Sequence, residues 1–244
     1  MCNTQLLNWD SDILGVRVAK ILSPRLDKAR LEQCLQTLKT QGIQLVYWVF
    51  ASQDTISHEA AQACGGFLVD EKITYYLDLR PLSSIPFPGT ENPVALSIAS
   101  YPELSANAEL TALAMEIAHF SRFSHDPNIP EQQVKKLYTT WINNACKKRV
   151  AKVVLVAKLH HIVGMVTIDD KQGRADLSLL AVATLHRGKG IGTRLVRAAQ
   201  AWCLAHNYSI SQVVTQKRNP QACGLYERCG YRKDKIEYFY HFWI

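Results

Sequence analysis

"LSLLAVATLHRGKGIGTRLVRAAQAWC", residues 177–203, decides how the rest of the chain is read. LSLLAV is an apolar run of strand length. From Ile191 onward, Leu195, Val196, Ala199 and Trp202 recur on one helical face, which predicts a helix from Ile191 to about His206. Between them, Arg187–Thr193 reads RGKGIGT, with glycines at 188, 190 and 192. Glycine lacks a Cβ, so a ligand can approach the backbone closely. The first N–H groups of a helix are unpaired and its dipole favours anions. Arg187 and Lys189 add positive charge. The physics suits a phosphate, and a plain strand-to-helix connection is the alternative. A Walker loop is excluded because Lys189 is followed by Gly190. A dinucleotide loop is excluded because the spacing is G-x-G-x-G and the preceding elements read as an antiparallel meander.

Upstream of this stretch, VAKVVLVAK and HIVGMVTIDD predict a hairpin turned at Leu159–His161, and ADLSLLAVA a third strand. YPELSANAELTALAMEIAHFSRF and PEQQVKKLYTTWINNACKK read as helices separated by the loop SRFSHDPNIP. Downstream come a strand, YSISQVVTQ, a helix, NPQACGLYERCG, and a last strand, KIEYFYHFWI, open to use as a sheet edge or a dimer surface. Arg80–Pro93 holds four prolines with Gly, Ser and Asn and reads as a linker. Before it, VRVAKIL, IQLVYWVF and KITYYLDL read as strands, RLDKARLEQCLQTLKTQ and SHEAAQACGG as helices. The expected domains are 1–80, a linker at 81–93, and 94–244. EAAQACGGFLVDEKITYYLDL and GLYERCGYRKDKIEYFYHFWI share one order: short helix, Cys-Gly, aromatic, charged turn, Lys-Ile, aromatic strand. This suggests that the first half duplicates the second without its glycine loop, which would leave the chemistry in the second half alone.

The bulk numbers bound the function. The chain has 244 residues, 48% hydrophobic and 20% charged, and can bury a real core. The net charge of +7 suits acidic partners. The one dense basic patch, CKKRVAK at 146–152, is short and reads as a charged helix end, so no nucleic acid is expected. Seven cysteines with no CxxC pair form neither a disulfide framework nor a zinc site. Reduced thiols, a cytoplasmic location and no metal are expected. The start, MCNTQLLNWDSD, lacks the regions of a signal peptide, and no apolar run reaches bilayer length.

Arg187-x-x-Gly190-x-Gly192 matches the [QR]-x-x-G-x-[GA] signature of the GNAT superfamily of N-acetyltransferases. Asn219, Ala222, Leu225, Tyr226, Gly230 and Tyr231 match that superfamily's N-x-x-A-x-x-L-Y-x-x-x-G-[FY] motif in the right order and separation. From about Val94 to Ile244 the chain resembles this superfamily. LLNWDSDILGVRVAKI, SRFSHDPNIPEQQVKKLYTTWINNA and LSLLAV further resemble acyltransferases acting on nucleotide-linked aminodeoxysugars. The resemblance implies an α/β (α+β) fold, a mixed and mostly antiparallel sheet flanked by helices, preceded by a smaller α/β domain. It implies acetyl-CoA as co-substrate and a nucleotide amino sugar, dTDP-linked, as acceptor.

Residue by residue, the resemblance puts the pyrophosphate of acetyl-CoA on backbone N–H groups of Arg187, Gly188, Lys189, Gly190, Ile191, Gly192 and Thr193. The pantetheine arm would pair with Leu180, Ala181 and Val182, on a strand splayed from the next. Asn219 would contact the arm, although a helix cap before Pro220 is an equally sound role. Tyr226 would protonate the departing thiolate, since a phenol is protonated at neutral pH. Packing is its alternative. Ser121, Arg122 and Phe123 are expected at the acceptor, with Arg122 suited to a diphosphate. The base stays open among His119, His125, Asp126, Asp169, Asp170 and Asp176, or a water chain. His160 and His161 read as exposed turn residues. An acceptor that is a protein N-terminus, polyamine or antibiotic, a non-catalytic acetyl-CoA-binding role, and a homodimer all stay open.

Overall fold

The computed structural model describes residues 3–81 and 96–244. Nearly all of the expected linker therefore lies outside the described residues. The first half runs β1 (Thr4–Leu6), α1 (Asn8–Leu14), β2 (Val18–Ile21), α2 (Lys28–Thr40), β3 (Leu45–Ala51), α3 (Thr55–Ala63) and β4 (Phe67–Asp78). The second runs β5 (Ser97–Ser100), α4 (Ala108–Ala118), α5 (Arg122–His125), α6 (Glu131–Cys146), β6 (Val153–Lys158), β7 (Ile162–Lys171), β8 (Arg174–Val182), α7 (Ile191–Ala205), β9 (Ile210–Gln216), α8 (Pro220–Arg228) and β10 (Arg232–Trp243).

These strands form one ten-stranded sheet, ordered β1-β2-β3-β10-β4-β9-β8-β7-β6-β5. Only β2–β3 and β8–β9 are parallel. The sheet is mixed and mostly antiparallel, as the resemblance implies. Its order also carries an internal symmetry. β2-α2-β3-α3-β4 and β8-α7-β9-α8-β10 follow the same succession. The last strand of each half crosses to the other, β10 beside β3 and β4 beside β9. At the centre β4 and β10 pair antiparallel, with Ile73 opposite Ile236. Those are the isoleucines of the two Lys-Ile dipeptides, so the aligned positions meet where a two-fold relation requires. β10 is thus central, paired on both sides, and neither a sheet edge nor a free dimer surface.

Among its described residues the first half has no counterpart of the forked strands or of the glycine loop of the second. β2 and β3 stay paired as far as Ile21–Trp48. The helix that follows β2, α2, opens on Asp27, whose carboxylate accepts the Arg30 N–H at 2.9 Å. An anion approaching that helix end would meet a carboxylate.

Apolar periodicity divides the layers. Leu110, Leu137 and Phe123 pack with Met165, Leu179 and Phe239 on one face of the sheet. Leu195, Val196, Ala199 and Tyr226 pack with Leu177 and Val213 on the other. Leu31, Leu38, Trp48 and Phe242 form a third cluster under α2 and α3.

Some boundaries differ from expectation. α4 starts at Ala108 rather than near Tyr101, because the Asn107 side chain accepts the Leu110 N–H at 2.9 Å and caps it. The SRF segment is not a continuation of that helix. Ser121 caps a separate single turn, α5, inside the expected loop. β1, α1 and β5 were not expected, being too short for periodicity to mark. Cys64, Cys146, Cys203, Cys223 and Cys229 are free thiols. Cys34 departs from the all-reduced expectation and is disulfide-bonded.

Candidate active site

Pairing between β8 and β9 stops at Leu177–Val213. Beyond that point β9 follows β4, with Gln216 opposite Lys72, and β8 follows β7, with Val182 opposite Gly164. The two strands diverge, and their facing edges carry unpaired backbone groups. A bulge accompanies the fork. Ser178 and Leu179 oppose only Thr167, whose Oγ1 accepts the Leu179 N–H at 3.0 Å. The resemblance implies the fork; nothing in the sequence marks the bulge. A cleft of about 1160 Å³ is lined from both faces of the sheet here.

Leu180, Ala181 and Val182 line this cleft, as do Arg187, Gly188, Gly190, Ile191, Gly192 and Thr193. Gly188 and Gly190 both have φ +75°, a left-handed conformation that glycine adopts without cost. Gly190 caps α7, and the first helical bond from it runs from the Arg194 N–H to the Gly190 carbonyl. The N–H groups of Ile191, Gly192 and Thr193 therefore have no acceptor within the helix. A Cβ on Gly192 would lie 3.3 Å from Leu225 Cδ2, so its lack of a side chain lets α7 approach α8.

The two cations of the loop behave differently from expectation. Arg187 braces the loop, donating to Glu116 Oε2 at 2.9 Å and to the Val182 carbonyl at 3.1 Å. Lys189 does not line the cleft, and its Nζ donates to the Leu185 carbonyl at 3.1 Å. With both cations occupied in this way, the unpaired donors at the mouth of α7 are backbone N–H groups.

Asn219 lines the cleft and also caps α8, its side chain accepting the Ala222 N–H at 3.1 Å, with Pro220 in the first turn. Tyr226 lines the cleft at 5% exposure. Its ring sits between Tyr75 (6.1 Å) and Tyr231 (5.9 Å), and its hydroxyl bonds to none of the described residues. Burial pushes the phenol above its ordinary pKa, so it stays protonated through neutral pH.

Ser121, Arg122 and Phe123 line the other part of the cleft. Ser121 is occupied as the cap of α5. Phe123 is buried, and the Arg122 guanidinium lies 4.0 Å over its ring, 4.4 Å over Phe239 and 5.2 Å over Tyr47. Arg122 Nη2 is 3.9 Å from Asp10, and its buried Nε has no partner among the described residues. The fixed cation stands on an aromatic floor with donors to spare.

Trp9, Asp10, Asp70 and Lys72 also line the cleft. This corrects the expectation that the chemistry would lie in the second half alone. Exchange of the last strands puts β4 of the first half directly beside β9. Neither the repeat nor any motif signals that crossing.

Of the open base candidates, Asp169 and Asp176 line the cleft; His119, His125, Asp126 and Asp170 do not. Asp176 already accepts from Gln212 Nε2 (2.8 Å), Ser178 Oγ (3.2 Å) and Lys171 Nζ (3.4 Å). Asp170 is taken by the Tyr208 hydroxyl at 2.9 Å. Asp126 is buried and anchors the loop after α5 to β10. It accepts from His241 Nδ1 at 2.6 Å and Trp243 Nε1 at 2.9 Å. Burial lowers the His241 imidazole to about 4, so it is neutral beside the carboxylate. His160 and His161 lie at the β6–β7 turn, off the cleft. Asp70 was not among the candidates and is 4% exposed in the cleft.

A forked sheet with an unpaired strand edge, an open helix N-terminus at one end of the fork and a protonated phenol in the cleft are parts that an acyl transfer from a phosphate-bearing thioester can use. Residues 116–231 match the model of the Acetyltransferase (GNAT) family, and the mixed sheet flanked by helices is the GNAT fold. The spore coat polysaccharide biosynthesis protein SpsD of Bacillus subtilis (strain 168) is 24% identical over 142 residues, 58% of this chain and 49% of that protein. Streptothricin acetyltransferase of Escherichia coli is 34% identical over 65 residues, 27% of this chain and 37% of that protein. The chain thus spans half or less of the length of these curated relatives. Among solved structures, a tandem GNAT protein from the clavulanic acid biosynthesis pathway superposes with TM-score 0.62 at 14% identity, over 94% of this chain and 76% of that one. That likeness shows the fold. Among the described residues no helix is long and apolar enough to cross a membrane, and no group of three or more His, Cys, Asp or Glu could hold a metal ion.

Proposed function

We propose that the protein acetylates the amino group of a nucleotide-linked aminodeoxysugar, of the kind represented by dTDP-4-amino-4,6-dideoxygalactose (TDP-fucosamine), for bacterial surface-polysaccharide synthesis in the cytoplasm. The observation that carries this reading is Arg122. Its planar cation, with the side chain 28% exposed, is held on three aromatic rings in the acceptor part of the cleft, and Asp10 at 3.9 Å is its one ion-pair partner among the described residues. Such a fork of donors suits a diphosphate. Trp9 and Trp141, each partly exposed on the lining, offer rings for a base. At about 1160 Å³ the cleft exceeds the usual range for one small ligand, roughly 300–1,000 Å³. That leaves room for a CoA arm and a nucleotide sugar together. The name of SpsD, which refers to polysaccharide biosynthesis, agrees with this reading.

In this proposal the CoA pyrophosphate lies on the backbone N–H groups of residues 188–193, with Arg187 bracing them. The pantetheine arm takes up the free edge of β8 at Leu180–Val182, and Asn219 contacts it. The sugar amine attacks the thioester carbonyl, a C–N bond forms and the C–S bond breaks. Tyr226 donates its proton to the leaving thiolate. Burial raises the phenol's pKa, but a thiolate in the same cleft is equally disfavoured by desolvation, so the transfer does not oppose the full shift. The first half is proposed as a separate unit of the gene's history, at 1–80, which now supplies part of the acceptor wall.

The 34% match to streptothricin acetyltransferase favours a second reading, an antibiotic amine as acceptor. Purified protein is mixed with acetyl-CoA and, separately, dTDP-4-amino sugars, dTDP-3-amino sugars, streptothricin and a polyamine, and thiol release is followed. Turnover confined to nucleotide sugars supports the proposal; turnover confined to streptothricin replaces it. No turnover with any amine, despite acetyl-CoA binding, sinks both.

A further inference from the structure

An acceptor amine is an ammonium at neutral pH and must lose a proton before it attacks. Resting on the acetyl-transfer reading above, we infer that Asp70, on β4 of the first half, is the general base that receives this proton.

The cleft holds five carboxylates and one imidazole, and their surroundings separate them. Glu116 is paired with Arg187 at 2.9 Å, at the end of the cleft nearest the glycine loop. Asp10 serves the Arg122 cation. Asp176 already accepts from three donors, one of them the Lys171 cation. Asp169 is partly exposed, with one oxygen taken by the Asp170 N–H at 2.7 Å. His186 sits beside Arg187, again next to the glycine loop. Asp70 is different. It is 4% exposed, and Arg218 Nη2 reaches it only at 3.4 Å. That same Nη2 makes its shorter bond to the Val69 carbonyl. With only Arg218 and the Gln216 side chain reaching it among the described residues, the carboxylate, which lines the cleft, keeps lone pairs free.

Its place in the sheet fits the role. Lys72 lies opposite Gln216, and Asp70 is two residues further along β4, on the open side of the fork. Phe239, which carries part of the Arg122 cation, is its register partner on β10. A proton reaches it directly or through one water. The groups that act on it are Arg218 after β9, Arg122 of α5 and Tyr138 of α6, with the Gln216 side chain of β9 as a neutral partner. Burial raises the Asp70 carboxyl to about 6, with Arg218 and then Arg122 holding it back. Such a group is ionised at neutral pH yet basic enough to accept a proton.

The protons balance. The ammonium gives one proton to Asp70, which later passes it to solvent. The amine attacks, and the thiolate takes the Tyr226 proton. The second proton, lost by the nitrogen as the amide forms, restores the phenol. The products are the acetamide, the free thiol of CoA and one released proton.

The test is the pH profile of kcat/KM for the best amine of the panel. Wild type should lose activity below an acidic limb near 6. Asp70→Asn should fall about 10²-fold or more and lose that limb, with acetyl-CoA affinity unchanged by calorimetry. Asp70→Glu should recover part of the rate and a limb. Arg218→Met removes the cation that lowers the Asp70 pKa, so its limb should move to higher pH. This arm holds even if Asp70→Asn fails to fold. An Asp70→Asn enzyme within about threefold of wild type, or an Arg218→Met limb that does not move, overturns the assignment. A wild type that turns over no amine overturns the acetyl-transfer reading itself and this base with it.

Discussion

Tyr226→Phe is an unusually clean perturbation in this fold. The hydroxyl bonds to no described residue, and the ring is held by contacts with Tyr75 and Tyr231 that phenylalanine keeps. Removing one oxygen therefore breaks no internal hydrogen bond, and folding stability should change by no more than about 0.5 kcal/mol. Loss of a general acid costs roughly 10²–10⁴ in rate. A leaving thiolate is the least demanding of the common leaving groups, so the lower end applies: kcat should fall about 10²–10³-fold, or about 3–4 kcal/mol of barrier. The assay is thiol release with both substrates saturating, alongside the acetyl-CoA Kd by calorimetry and a urea midpoint. The account expects a large loss of kcat with Kd and midpoint held. A normal kcat would remove Tyr226 from the acid role. A rate loss matched by a large drop in the midpoint would make it a packing residue.

Two further outcomes follow from the same geometry. Gly190→Ala forces a side chain onto φ +75° at the mouth of α7; stability should fall by about 1–2 kcal/mol and acetyl-CoA should bind more weakly, as thermal melts with and without the ligand will read. His241 is neutral when folded, with a pKa lowered to about 4 from the ordinary 6.5. The unfolded chain thus binds the extra proton first. Stability from this group is complete above pH 6.5 and is lost as pH falls toward 4, by at most about 1.4 kcal/mol per pH unit. A His241→Phe variant should flatten the urea-midpoint profile between pH 6.5 and 4, and an unchanged slope would refute the assignment.

The long elements were legible because their signals are local. The spacing of Leu195, Val196 and Ala199 marks α7, and the short apolar runs of β6, β7 and β8 mark the hairpin and its neighbour. The repeated Lys-Ile strands pointed to a duplication, and the opposition of Ile73 and Ile236 agrees with it. Strand exchange was not legible. β4 and β10 carry the same pattern whichever half they pair with, because both are apolar aromatic strands that any neighbour would bury. That ambiguity hid the first-half wall of the cleft, and with it Asp70. The behaviour of Lys189 was equally hidden. A lysine beside a glycine loop reads as a phosphate ligand, and only the backbone turn decides that its amine reaches the Leu185 carbonyl instead. Residues recognised by motif fared better. Arg187, Gly188, Gly190, Gly192, Asn219 and Tyr226 all line one cleft.

The most direct test of the account is to incubate the purified protein with acetyl-CoA and dTDP-4-amino-4,6-dideoxygalactose, follow thiol release, and identify the product by mass spectrometry. The account predicts stoichiometric thiol and N-acetylated nucleotide sugar, at a kcat/KM well above that for streptothricin or polyamines. Acetyl-CoA binding with no acetylated nucleotide sugar, under conditions where another amine is turned over, would contradict it.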